Sequence, residues 1–165
     1  MRNVLVFVAT VLWSGAVLGA EPALIVDTAF VEQALRRGAI LWDARDEKSY
    51  AKGHLPGAVN LGAAADVLRD GNSEDYVPLA QLQKLLGDAG IDPTKEVVAY
   101  AGRGGTAGYF AQLTVQYLQG QRAYVYHGGI DDWATAGKPL STTPARLAAI
   151  KVTATPAAGL TVGTD

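Results

Sequence analysis

The sequence contains no cysteine. That absence excludes disulfides, cysteine-ligated zinc and any chemistry carried out by a thiolate of this chain. Histidine is nearly as scarce: His54 and His127 are the only two and stand far apart, a poor nucleus for a metal site, so neither a structural metal nor another cofactor is expected. Excess positive charge is missing as well. Fourteen scattered Lys and Arg against sixteen Asp and Glu give a net charge of −2 and no basic field for a polyanion, which argues against a nucleic-acid partner.

What is present fits one domain, since 165 residues with 49% hydrophobic content suffice for one compact core. Residues 1–20 differ from the rest. Arg2 precedes a run from Val4 to Leu12 whose only polar residue is Thr10, and the small Gly19-Ala20 before Glu21-Pro22 offers a cleavage point after Ala20. This is the layout of a signal peptide, and it predicts export to a periplasm or beyond, with no membrane association after cleavage. An uncleaved N-terminal anchor is the alternative, because Val4 to Ala20 almost reaches the ~20 apolar residues of a membrane span.

After the leader, Ala23 to Val26 is a short apolar run. Asp27 or Thr28 then offers an N-cap to a helix whose Phe30, Val31, Ala34 and Leu35 share one face, with Gly38 as its stop. Ala39 to Trp42 and Val97 to Tyr100 are continuous apolar runs of the kind found in strands buried on both sides, and Ala123 to Tyr126 makes a third. Helices are expected from Leu79 to Leu86, from Ala107 to Leu118 and around Trp133. Strands alternating with helices predict an α/β fold with right-handed crossovers, a mostly parallel central sheet and helices on both faces. Ligands of such sheets gather at the carboxyl ends of strands, which directs attention to the loop after Tyr100. From Ser141 onward Ala, Thr and Pro dominate, so the expected organisation is a domain over 21–140 and a linker or tail over 141–165.

The loop Ala101-Gly102-Arg103-Gly104-Gly105-Thr106 leads from a strand into a helix, where several backbone N–H groups can converge beside the positive end of the helix dipole. Gly102, Gly104 and Gly105 permit positive φ and close approach, Thr106 offers a cap or a hydroxyl, and Arg103 offers a guanidinium to an oxyanion. Such turns equally often only make the corner; for Arg103 the site role is preferred over that of a solvated loop charge, given this fold.

Further motifs add to this. Asp43-Ala44-Arg45, Tyr50, the string Gly53-His54-Leu55-Pro56-Gly57-Ala58, Asn60, and later Tyr126-His127-Gly128-Gly129-Ile130-Asp131-Asp132-Trp133 appear in an order that resembles the rhodanese family. The resemblance runs from about Leu24 to Leu140. It implies the rhodanese-like three-layer fold and an active loop whose first residue is a cysteine that carries a persulfide between a sulfur donor and an acceptor. Here Ala101 stands at that position, so no catalytic residue is assigned. The resemblance leaves Ala101 to Thr106 as a candidate anion-binding loop, makes Asp43 structural and Arg45 ambiguous, and gives His54 a packing role.

Two functions stay open. One is a non-catalytic module that binds a small sulfur oxyanion or docks a partner. Pro144 to Asp165 also resembles the linker of tandem rhodaneses, whose first half often lacks the cysteine, so a second rhodanese domain is an implied partner. The other is a thiosulfate sulfurtransferase whose nucleophile has been lost or mutated.

Overall fold

A computed structural model describes residues 23–71 and 75–156. The expected leader over 1–20 and the last nine residues of the expected tail lie outside them. Among the described residues no helix is long and apolar enough to cross a membrane.

Among the described residues, five strands form one sheet in the order β1-β5-β4-β2-β3, with parallel pairing between all neighbours. They are β1 (Ile25–Val26), β2 (Ile40–Asp43), β3 (Val59–Asn60), β4 (Val97–Tyr100) and β5 (Ala123–Tyr126). The three central strands are buried at every position, which explains why they read as unbroken apolar runs rather than alternating ones. Alternate residues feed two separate cores. Trp42, Val97 and Ala99 pack with Leu68, Leu82, Leu86 and Val115 on one face, while Leu41, Val98 and Tyr100 pack with Val31, Leu55, Tyr124 and Trp133 on the other. The α/β layering expected from the sequence is therefore present.

Among the described residues, six helices accompany these strands: α1 (Thr28–Arg36), α2 (Glu47–Lys52), α3 (Ala64–Val67), α4 (Leu79–Asp88), α5 (Thr106–Tyr117) and α6 (Gly129–Thr135). Asp27 caps α1 by accepting the Phe30 N–H at 2.8 Å, and Gly38 leaves the helix with φ +82°. Asp46 caps α2 by accepting the N–H and hydroxyl of Ser49, and these hydrogen bonds hold its carboxyl below the usual carboxylate range. The apolar pattern did not mark α2, β3 or α3. In α2 only Tyr50 is buried, and β3 is two residues long.

Residues 141–156 have no helix or named strand, yet they lie against the domain rather than away from it. Ser141 bridges His54 through two backbone hydrogen bonds of 2.9 Å, the Ala145 N–H donates to the Tyr50 hydroxyl, and the Ile150 N–H donates to the carbonyl of Gly87 in α4. Val152 is buried in the core beside α4 and α5, and the carbonyls of Ala154 and Thr155 accept from Gln83 and Gln119. The compositional break at Ser141 thus marks a change from regular elements to an irregular strap.

Candidate functional site

The carboxyl ends of the parallel strands place Asp43, Asn60, Tyr100 and Tyr126 along one edge of the sheet, and the 101–106 loop leaves β4 there. Ala101 is buried at its base. Gly108 packs on the backbone of Tyr100 and Ala101, so that a Cβ on Gly108 would stand 3.2 Å from the Ala101 nitrogen, and a Cβ on Gly105 would stand 2.9 Å from the Ala101 methyl. Only glycine gives such a close fit. Gly104 alone in the loop has the positive φ expected there, +66°; Gly105 sits at −64° as the N-cap of α5 and is needed for space instead. The helix starts at Thr106, one residue earlier than expected, and is capped without a side-chain hydrogen bond, so Thr106 presents an exposed hydroxyl rather than a cap.

The turn between β5 and α6 holds this loop from one side. The Gly104 N–H donates to the His127 carbonyl at 2.8 Å, the Ile130 N–H donates to the Ala101 carbonyl at 3.0 Å, and the Arg103 N–H donates to Asp131 Oδ2 at 2.6 Å. The Gly105 N–H closes back onto the Gly102 carbonyl at 2.9 Å. Arg103 extends its guanidinium to Asp132. Next to it, the ring of His127 lies against Gly104, and its Nδ1 shares a hydrogen bond of 2.7 Å with the Tyr109 hydroxyl.

Asp43 and Arg45 belong to a neighbouring cluster. Arg45 Nε and Nη2 grip the fully buried Asp43 carboxylate at 2.9 and 2.6 Å, and Nη2 also donates to the Gly53 carbonyl at 2.7 Å. Asn60 Nδ2 donates to the carbonyls of both residues. The Tyr100 hydroxyl accepts the Leu55 N–H at 3.0 Å, and burial, followed by the nearby Asp43 carboxylate, pushes it far above the ordinary tyrosine range. The Arg45 side chain is committed to the turn after α2.

Such a glycine-bedded loop, at the carboxyl end of β4 and before a helix, is the architecture the motifs implied. A family model for the rhodanese-like domain matches residues 27–136. The chain belongs to the rhodanese-like family. Among curated relatives it is 30% identical over 125 residues to a provisionally named thiosulfate sulfurtransferase of Mycobacterium leprae, covering 74% of this chain and 45% of that protein. It is 33% identical over 104 residues to a thiosulfate sulfurtransferase of Azotobacter vinelandii, covering 62% of this chain and 38% of that one. The chain thus spans less than half the length of these relatives. Among solved structures, the wild-type enzyme EanB superposes with a TM-score of 0.70 at 19% identity, over 81% of this chain and 36% of that one. The anaerobic ergothioneine biosynthesis enzyme from Chlorobium limicola gives 0.68 at 20% identity, over 77% and 35%. These two establish the rhodanese-like fold.

All six loop residues are candidates from the sequence alone, whereas the acidic pair Asp131 and Asp132 and Tyr109 carry no role there. A signal existed for the pair, since two carboxylates in the first turn of a helix, opposite a loop with one arginine, offer charge complementarity. Their partner could not be read from spacing, because the contact spans 28 residues. His54, by contrast, occupies the packing position expected of it: it is buried, stacks on Tyr50 with ring centroids 3.8 Å apart, and places its ring nitrogens against the carbonyls of Tyr50 and Thr143.

Proposed function

We propose that this chain is a rhodanese-like module that does not itself transfer sulfur and that acts as an exported docking or regulatory unit beside a cysteine-bearing rhodanese domain, the pair handling a sulfur compound such as thiosulfate. The observation that carries this reading is Ala101. It sits at the base of the loop from which the family's nucleophile would act, and a methyl group cannot form a thiolate or persulfide. Two further points support it. The thiosulfate sulfurtransferases it resembles are more than twice as long as the matched region, which fits one module of a two-module protein. The apolar leader over residues 1–20 supports export.

Within this reading, docking is favoured over oxyanion binding. The amides of Arg103, Gly104 and Gly105, which an anion in the loop would use, already donate to groups of the chain itself. A second reading, a thiosulfate sulfurtransferase whose nucleophile was replaced, draws on the intact glycine bed around Ala101.

Thiosulfate-to-cyanide sulfur transfer by the full chain and by its Ala101→Cys variant tests both. The expected result is no transfer by the native chain. Transfer by the native chain would overturn the proposal. Transfer regained in Ala101→Cys would favour the lost-nucleophile history, and none in either protein would favour a module long adapted to docking.

A further inference from the structure

Asp131 meets the loop in the way a ligand would. Its Oδ2 accepts the Arg103 N–H at 2.6 Å, shorter than the bonds made by the Gly104 and Gly105 amides, and lies 3.3 Å from where a Cβ on Gly102 would stand. Gly102 therefore leaves just the room this carboxylate takes. Asp132, next in sequence, neutralises the Arg103 guanidinium, the one cationic side chain of the loop. A carboxylate oxygen accepting a backbone amide beside the start of α5 has the charge and the hydrogen-bond demand of a small oxyanion oxygen.

We propose that Asp131 is the loop's resident anion: its carboxylate takes the amide that a sulfur oxyanion would use and repels a second negative charge, so that the native loop is closed to thiosulfate and sulfate. Asp132 reinforces this by pairing with the Arg103 guanidinium, which leaves less positive charge to attract an incoming anion. The inference rests on the reading of 101–106 as an emptied sulfur-transfer loop, and it names the residue that fixes what the loop refuses. Electrostatic exclusion of this kind acts on charge, so uncharged or cationic groups on a partner are not barred by it.

The test is titration of the full chain with sodium thiosulfate and with sodium sulfate at constant ionic strength, followed by the backbone amide resonances of residues 102–106. Native chain, Asp131→Asn and Asp131→Ala are compared. Asp131 is exposed, so both variants are expected to fold, and circular dichroism checks this. The native amides should show no saturable shift, whereas Asp131→Ala should bind at least about tenfold more tightly, the scale of one charge-assisted hydrogen bond freed for the ligand. Asp131→Asn, which keeps an acceptor but loses the charge, should fall between them.

Equal binding by native chain and Asp131→Ala, or no gain in either variant, would overturn the inference. So would fast solvent exchange of the native Arg103 amide, which needs no variant to measure. Thiosulfate binding by the native chain without sulfur transfer would sink this inference and leave the non-catalytic reading standing; sulfur transfer by the native chain would sink that reading first.

Discussion

Arg45 holds the fully buried Asp43 carboxylate with two side-chain nitrogens and its own backbone N–H, although the two residues are only two positions apart. A buried charge left without its partner is costly, so Arg45→Met is expected to destabilise the domain by about 3 kcal/mol. Asp43→Asn/Arg45→Met should lose less than the sum of the two single changes, because the second removes a charge already unpaired. Urea unfolding of the four proteins measures the coupling, and additivity would show that Arg45 is no clamp.

Gly129 and Gly137 both have positive φ, +56° and +67°, but only Gly129 is crowded, its missing Cβ pointing into the Ala101 carbonyl. Gly137→Ala should therefore cost only the backbone strain, about 1–2 kcal/mol. Gly129→Ala should cost roughly 3 kcal/mol or more, since overpacking is added to that strain. Melting temperatures of the two variants decide this, and equal losses would mean that the β5–α6 turn tolerates movement away from the loop.

Gly87 lies inside α4, where alanine ordinarily stabilises a helix by about 1 kcal/mol. Here the sign should reverse. A Cβ at Gly87 would stand 2.5 Å from the Ile150 carbonyl oxygen, so Gly87→Ala must push the 141–156 strap outward. Lower thermal stability together with faster proteolysis between residues 144 and 152 is the expected outcome. A stabilised variant would mean that the strap contributes nothing at this point.

Burial, the first cause in each case, raises the hydroxyl groups of Tyr76, Tyr100 and Tyr126 above the ordinary tyrosine value. The unfolded chain gives up these protons near pH 10 and the folded chain only at higher pH. Their contribution to stability is thus complete below about pH 10 and falls as pH rises beyond it. Spectrophotometric titration should show a late fraction of tyrosinate that appears together with the loss of secondary structure. Full tyrosine ionisation in a still-folded protein would contradict these three environments.

The parts of the fold legible in the sequence were those whose side chains carry the information. Val97 to Tyr100 and Ala123 to Tyr126 are apolar at every position because both faces of the sheet are covered, and Asp27 stands where the N-cap of α1 is required. The strap was not legible, because its backbone provides many of its anchors: the Thr143 carbonyl, the Ala145 N–H and the Ile150 N–H leave no trace in composition. The same applies at the loop. Its glycines and Ala101 could be read directly, whereas the use of its amides by His127 and Asp131 depends on the distance at which the β5–α6 turn passes, and that is set by the crowding at Gly129.

The sheet ends on both sides in a strand of two residues, β1 and β3. Among the described residues, edges this short give another chain little unpaired backbone to add to, which disfavours both edge-to-edge aggregation and recruitment by strand addition. Recognition through side chains on the helices, strap or turns would be a mode in which specificity can be altered one surface residue at a time without disturbing the sheet beneath.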